Sequence, residues 1–240
     1  MESLSQEAGP PYGDGAQSTF WQCYYSNVAS RGPALDFSNP RVHVQSIAVC
    51  LEAAGEVRGL SCLELGCGFG VLASALDALG ATPVTGVDQV EDMIDANRRT
   101  RPELDWRLGD ATDRVFIDGL PHFDRVFLAE ILQYTGMADL VPLIWRHVRP
   151  GGRLVGLIPN AACPIVAGAM GRFSGRYHAA RVEDIAAMAA KLDALAVWAV
   201  RGLRFAADQR ITPYEVDRWT TEVRGSEPPN RLSFVFLKQE

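Results

Sequence analysis

The chain has 240 residues and a formal net charge of −6, with 48% hydrophobic and 22% charged residues. This length and composition are those of a globular protein with one large domain, or one domain with an appendage. The acidic balance argues against nucleic acid as a partner and favours a small molecule.

Cysteine usage and hydropathy indicate which cellular environment to expect for the chain. The five cysteines follow no zinc-binding spacing, so we expect no metal site and a reducing, cytoplasmic environment. The first 18 residues contain no basic segment followed by an apolar one, which argues against a signal peptide. No apolar run of about 20 residues occurs, so neither a membrane span nor a membrane partner is expected.

The N-terminal residues predict a tail followed by a helical cover. Residues 1–18 are rich in Ser, Gly, Pro and Gln, which predicts a mobile tail before a single domain over 19–240. Large apolar residues recur every four positions from Phe20 to Val28 and indicate a short helix with an aromatic face. A second helix is predicted to start at Ser38-Asn39-Pro40. Together these helices form the predicted cover, residues 19–58.

From Gly59 onward short strands alternate with helices. This alternation predicts an α/β fold with a doubly wound, mostly parallel sheet. Strands are predicted at Leu60–Leu65, Pro83–Val87, Leu104–Leu108, Phe123–Ala129 and Arg153–Ile158. Helices are predicted at Val71–Leu79, Val90–Arg99 and Met137–Val148.

The alternation ends after the fifth strand. Residues 159–180 are rich in small residues and have weak periodicity, which indicates a lid or an inserted loop. A helix is predicted over Arg181–Leu195. Ala196–Phe205 and Leu232–Leu237 then predict an antiparallel strand pair at the sheet edge.

A glycine-rich turn, "CLELGCGFG", follows the first predicted strand. Glycines at 66, 68 and 70 let a ligand approach the backbone, and the helix that follows favours an anion at its N-terminus. Such a triplet alone is a weak signal. Acidic residues end the next strands, however: Asp88 is placed to bind ribose hydroxyls and Asp110 an adenine amine. Ala129 and Glu130, after the fourth strand, are expected at the floor of the reaction site.

Five segments, in this order along the chain, match the pattern of a known protein family: "ELGCGFG", "GVD", "GDA", "FDRVFLAEIL" and "RPGGRLVGLIP". Over about residues 40–160 the chain resembles the class I S-adenosylmethionine-dependent methyltransferases. The resemblance implies a seven-stranded, Rossmann-like sheet ending in an antiparallel strand pair, with S-adenosylmethionine as cofactor. The cofactor-binding positions it implies are Tyr24, Tyr25, Glu64, Gly66, Cys67, Gly68, Gly70, Asp88, Gln89, Met93, Asp110, Ala111 and Ala129.

The implied activity is methyl transfer to an oxygen or nitrogen of a small-molecule metabolite, in natural-product or sugar metabolism. His178 is the candidate general base, and Glu130 and Tyr134 are candidate acceptor contacts. A cyclase-like enzyme or accessory subunit that binds the same cofactor is the alternative. A nicotinamide-dependent oxidoreductase is disfavoured, because Val71 and Leu72 stand where a third glycine would be sought. A homodimer remains open.

Three of these acidic residues also have plainer interpretations. An acidic residue at the position of Glu64 or Asp88 can also cap the N-terminus of the following helix. Asp110 is also a common turn residue. The sequence leaves these alternatives open.

Overall fold

The computed structural model describes residues 40–172, 176–196, 201–203 and 231–240. Within these ranges eight strands form one sheet. They are β1 (Cys62–Leu65), β2 (Val84–Asp88), β3 (Asp105–Leu108), β4 (Phe123–Leu128), β5 (Val148–Pro159), β6 (Leu195–Ala196), β7 (Arg201–Leu203) and β8 (Arg231–Leu237).

The strand order in the sheet is β3-β2-β1-β4-β5-β8-β6, and β7 also pairs with β8. Strands β1 to β5 pair in parallel, whereas β8 is antiparallel to β5, β6 and β7. Since β6 and β7 both pair with β8, they occupy one strand position, and the sheet has the predicted seven strand positions. The predicted fold class is confirmed, including its C-terminal antiparallel pair.

Eight helices lie within the described residues. They are α1 (Pro40–Ala54), α2 (Val71–Ala78), α3 (Glu91–Thr100), α4 (Arg114–Asp118), α5 (Leu132–Thr135), α6 (Met137–Trp145), α7 (Pro164–Arg172) and α8 (Val182–Lys191).

The central strands β1 and β2 bury both of their faces, as expected for a parallel sheet between two helical layers, whereas the edge strand β3 is partly exposed. Successive residues alternate between two hydrophobic clusters: Leu63 lies in one and Cys62 in the other, and Val126 and Phe127 divide in the same way. Residues of α1, α2 and α3 belong to the cluster that contains Phe127. Those of α4, α5, α6 and α8 belong to the opposite one.

Two arginines fix the C-terminal end of α1 against the sheet. Nε of Arg125 donates to the carbonyl of Ala54 at 3.0 Å, and Nη1 of Arg153 donates to the same carbonyl at 3.3 Å. The two arginines are register partners on β4 and β5. Cations favour the carbonyl end of a helix, so this contact holds α1 over the centre of the sheet.

The structure corrects the sequence prediction at several element ends. Residues 164–172 were expected to be part of a lid or loop but form the helix α7. Two short helices, α4 and α5, were not predicted. Helix α6 ends at Trp145 rather than at 148. Within the described residues, no helix has the length and apolar character needed to cross a bilayer.

Several predictions lie outside the described residues. These are the tail over 1–18, the aromatic helix with Tyr24 and Tyr25, and most of the cover over 19–58. The domain limits and the lid role of 159–180 stay predictions. The two ends of that last segment do meet, because the Ala161 N–H donates to the Ala180 carbonyl at 2.9 Å.

Gly156 tests the packing between β5 and β8. A Cβ at this position would lie 2.1 Å from Cζ of Phe234, whose side chain is buried. We expect Gly156→Ala to lower the free energy of unfolding by about 1–3 kcal/mol, because the aromatic ring must move. Gly168→Ala is the control, since no described atom lies within 4 Å of its added Cβ. Urea unfolding measures both, and equal midpoints for the two variants would contradict this packing.

Candidate cofactor and acceptor site

The candidate site lies at the carboxyl ends of β1, β2 and β4. The chain leaves β1 towards β2 and β3 on one side, and returns to pair β4 on the other side. Ligands of open α/β sheets bind outside the carboxyl ends of strands at such a switch point. The glycine turn after β1 and the turn after β4 therefore share this crevice.

The three glycines of the turn differ in the space that surrounds an added side chain. All have positive φ: 72° at Gly66, 51° at Gly68 and 66° at Gly70. A Cβ at Gly70 would lie 2.3 Å from the ring of Trp106, and one at Gly66 would lie 2.9 Å from Ile131. At Gly68 the nearest described atom would be the sulfur of Met93, at 3.9 Å. Gly68 is therefore the glycine whose surroundings leave room for a ligand.

Gly68 is held at both of its backbone polar groups. Its N–H donates to Oδ2 of Asp88 at 2.8 Å, and its carbonyl accepts from Nδ2 of Asn97 at 2.8 Å. Asp88 ends β2, and Asn97 lies on α3 with only 2% of its surface exposed. The sequence analysis missed Asn97, because a lone Asn inside a helix carries no motif. Its position, one helical turn beyond Met93 on the same buried face, was the available signal.

Asp88 is a structural acceptor as well as a ribose-binding candidate. Its Oδ1 accepts from the N–H of Val90 at 3.0 Å, at the start of α3. Burial raises the pKa of Asp88, and the N–H groups of Gly68, Val90 and Gln89 act in the opposite direction. Both interpretations of Asp88 from the sequence therefore have structural support. Its carboxylate bonds the backbone at the start of a helix, and it lies at the crevice.

Glu64 faces the helix that follows the glycine turn. Its Oε2 accepts from the N–H of Ala73, the third residue of α2, at 2.9 Å. The side chain is 4% exposed, and burial raises its pKa to about 8, against the effect of the Ala73 hydrogen bond. The helix-capping interpretation of Glu64 thus has a direct contact behind it.

The Cys67 side chain belongs to the core beneath the glycine turn. The thiol is buried in the core cluster of α1 and α2, and burial raises its pKa. The N–H groups of Gly66 and Cys67 both donate to the carbonyl of Val87, at 2.8 and 2.9 Å. The Cys67 carbonyl accepts from the Gly70 N–H at 2.8 Å, so both backbone polar groups of Cys67 are bonded within the turn and its ligand contact stays a prediction.

The remaining predicted cofactor positions lie along the same sheet edge. Met93 is buried and adjoins Gly68. Asp110 accepts from the N–H and hydroxyl of Thr112, at 2.8 and 2.7 Å, so its turn role is real. Ala111 is buried beside it, while Gln89 and Ala129 are half-buried.

The predicted acceptor-side residues meet around Glu130. This residue has φ 56°, a left-handed conformation that is uncommon outside glycine. Its carboxylate accepts from Arg231 Nε at 3.1 Å on each oxygen, and from Gln133 and Ser46 at 2.9 and 3.2 Å. Burial lowers the pKa of Arg231, but the attraction of Glu130 outweighs it and the pKa lies above its ordinary value. Arg231 was not predicted, because it lies far along the chain.

Tyr134 and His178 pack beside this ion pair. Tyr134 makes an edge-on contact with Tyr177, with ring centroids 6.5 Å apart. The His178 N–H donates to the Gln133 carbonyl at 2.8 Å, and a Cβ on Gly136 would lie 3.4 Å from Nδ1 of the ring. Burial raises the pKa of Tyr177, which keeps it a neutral phenol. The three predicted catalytic candidates are therefore neighbours, and their chemical roles stay predictions.

Metal ligands and a second cavity also bear on where the site lies. Among the described residues, no group of His, Cys, Asp and Glu side chains could hold a metal ion. A cavity also lies at the opposite edge of the sheet, lined by Asp105, Arg107, Asp124 and Arg149 among others. Its charged groups pair with one another, so we place the candidate site at the carboxyl edge.

Comparisons with known proteins identify the domain family that part of the chain matches. Residues 63–156 match the family model of a methyltransferase domain. The ribosomal protein L11 methyltransferase of Methylococcus capsulatus is 36% identical over 131 residues, 53% of this chain and 43% of that protein. The trans-aconitate 2-methyltransferase of an Azoarcus species is 31% identical over 100 residues, 41% of this chain and 38% of that protein. The chain spans less than half the length of these relatives.

Solved structures share the fold. The magnesium protoporphyrin IX methyltransferase of Synechocystis, with S-adenosylmethionine bound, gives a TM-score of 0.64 at 16% identity, over 98% of this chain and all of that one. N-methyltransferase NodS of Bradyrhizobium japonicum gives 0.59 at 19% identity, over 85% and 99%. The family match identifies residues 63–156 as a class I S-adenosylmethionine-dependent methyltransferase domain, and the solved structures share its fold. The predicted resemblance is confirmed.

The raised pKa of Glu64 predicts a pH-dependent stability. Between its ordinary value of 4.5 and about 8 the folded state binds more protons than the unfolded state. Unfolding free energy therefore falls as pH rises through this window, by at most about 1.4 kcal/mol per pH unit. Glu64→Gln, which mimics the protonated form, is expected to gain stability relative to the wild type between pH 5 and 8.

Urea unfolding at several pH values measures this difference. Asp95→Asn serves as control, since Asp95 is 48% exposed in a surface ion pair. Parallel pH profiles for the wild type and Glu64→Gln would contradict a raised pKa at Glu64.

Asn97 is expected to matter for stability through the Gly68 carbonyl. Asn97→Leu keeps the volume but leaves that carbonyl without its donor, which should lower the unfolding free energy by about 1–3 kcal/mol. Arg99→Ala, on the exposed side of the same helix, should change it by less than about 0.5 kcal/mol. Chemical denaturation compares the two variants. An Asn97→Leu protein with an unchanged free energy of unfolding would show that this hydrogen bond does not stabilise the Gly68 turn.

Proposed function

We propose that this protein transfers a methyl group from S-adenosylmethionine to an oxygen or nitrogen of a small-molecule acceptor. The observation that carries the proposal is the clamped Gly68. Its backbone is held from both sides by Asp88 and Asn97, while the space where a side chain would stand is open. A turn fixed in this way suits close contact between a ligand and the main chain.

The residues present fit the cofactor that the family uses. Gly68 and Asp88 would hold its amino-acid and ribose parts, and Met93 offers an apolar surface next to them. Asp110 and Ala111 stand where the adenine edge is expected. Tyr24 and Tyr25 lie outside the described residues, so a covering role for them remains a proposal from the sequence.

When bound, S-adenosylmethionine supplies a methyl group made electrophilic by a positively charged sulfur. The chain has to hold the acceptor atom in line with that methyl and to exclude water. Orientation of this kind is worth up to about 7–11 kcal/mol of the barrier. An oxygen or ammonium acceptor also has to lose a proton, and we propose His178 as the base, with Tyr134 against the acceptor.

The acceptor class is supported by the names of two relatives, by the net charge and by the polar groups near Glu130. The name of trans-aconitate 2-methyltransferase states a small-molecule acceptor, and the name of N-methyltransferase NodS states methylation at nitrogen. The acidic charge and the closed polar network around Glu130 fit a small polar metabolite, and we place it in natural-product or sugar metabolism. The four described cysteines are free and buried, as suits a cytoplasmic protein.

One observation favours a second candidate. The L11 methyltransferases match at 36% identity, so a protein substrate has support from sequence similarity. A cyclase-like or accessory role with the same cofactor is the other alternative. Offering protein and small-molecule acceptors in parallel with methyl-labelled cofactor separates these possibilities.

Calorimetric titration with S-adenosylhomocysteine tests the cofactor site, with NADH run in parallel. We expect micromolar binding of the first and none of the second. Asp88→Asn keeps the shape but loses the charge, so affinity should fall by about tenfold, the equivalent of one charge-assisted hydrogen bond. Asp95→Asn is the surface control. Binding of NADH alone would refute the proposal, and unchanged affinity in folded Asp88→Asn would remove ribose recognition from it.

A further inference from the structure

A largely buried ion pair joins distant parts of the chain at the end of β4. Arg231 and Glu130 are 101 residues apart, and their side chains are only 16% and 23% exposed. Ser46 of α1 and Gln133 of α5 donate to the same carboxylate. Three side chains from three elements therefore direct their donors at one anion, and they hold it in a single place.

Two features of this cluster are unfavourable to stability. Glu130 has a left-handed backbone, which costs a side-chain-bearing residue about 1–3 kcal/mol. Among the described residues, Oε1 of Gln133 is buried without a hydrogen-bond partner. Buried ion pairs are themselves weak evidence for stability. Strain and an unsatisfied polar atom in one cluster are more typical of a functional site than of a packed core.

The turn that Glu130 begins also adjoins the glycine turn. Ile131 packs against Gly66, where an added Cβ would lie 2.9 Å from its Cδ1. On its other side the turn carries Tyr134, and the Gln133 carbonyl binds the N–H of His178. A displacement of this turn would therefore move the acceptor contacts relative to the cofactor turn.

We propose that Arg231 is a positioning residue for methyl transfer, an inference that rests on the proposed function. Its guanidinium fixes the Glu130 carboxylate, and through it the turn that carries Tyr134 and whose Gln133 carbonyl binds the His178 N–H. Glu130 is then a structural anion rather than a base, because Arg231, Gln133 and Ser46 already donate to its oxygens. Proton removal falls to another group.

Two substitutions at Arg231 separate positioning from folding. Arg231→Lys keeps the charge but loses the guanidinium geometry, and Arg231→Met removes both. Arg149→Met is the matched control, because Arg149 pairs with Asp124 at 3.0 Å at the opposite edge of the sheet. Each protein is assayed for S-adenosylhomocysteine affinity, for urea unfolding, and for label transfer from methyl-labelled S-adenosylmethionine to the acceptors that the wild type labels.

We expect all variants to bind S-adenosylhomocysteine within about threefold of the wild type. Transfer by Arg231→Met should fall by about 100-fold, in kcat and with an unchanged KM for S-adenosylmethionine, as misplacement of reacting groups predicts. Arg231→Lys should recover stability but not transfer, and Arg149→Met should transfer normally. Wild-type transfer by Arg231→Met, or a loss that only follows the folded fraction, would overturn the role.

A second measurement needs no acceptor. Hydrogen exchange on the protein saturated with S-adenosylhomocysteine should be faster at the Tyr134 and Gly136 amides in Arg231→Met, and unchanged at Gly68. Equal exchange at the turn would show that the ion pair does not hold it, and the proposal fails. A wild type that binds the cofactor product but labels nothing counts against methyl transfer itself, which distinguishes the two failures.

Discussion

The site depends on the pair of hydrogen bonds that hold Gly68. The N–H of this residue is bonded to β2 through Asp88, and its carbonyl to α3 through Asn97. Two neighbouring elements thus fix a turn whose glycines are conformationally permissive. Trp106 of β3 packs behind the same turn and would collide with any side chain at Gly70. Strands β1, β2 and β3 therefore all contribute to the shape of one short loop.

Three carboxylates at this edge are accommodated in three ways. Glu64 is buried with one backbone donor, and its pKa rises to about 8. Asp88 is half-buried, and the several backbone N–H groups that it accepts from oppose the rise of its pKa. Glu130 is bonded to a guanidinium and two further side chains. Residues of the same chemical type therefore serve as a helix cap, a loop clamp and a turn anchor, because their surroundings differ.

The sequence was informative about the glycine side of the site and less so about the acceptor side. Gly66, Gly68 and Asp88 belong to contiguous motifs, so their neighbourhood could be predicted from strand order alone. Glu130, Tyr134 and His178 were predicted as a group, and they do lie together. Asn97, Trp106 and Arg231 were missed, because each contacts the site through a side chain from an element with no motif of its own. Their contributions depend on packing that no local pattern records.

What the sequence determined by itself was the alternation of strands and helices, and with it the α/β class and the mostly parallel sheet, since each element's hydrophobic period is local. The ligand edge followed from the position of the glycine turn and the acidic residues after predicted strands. The tertiary structure alone decided which groups each carboxylate faces, that residues 164–172 are helical, and that Arg231 meets Glu130. These outcomes join residues up to 101 positions apart. Contacts over such separations form only when the sheet and its helical layers bring the elements together.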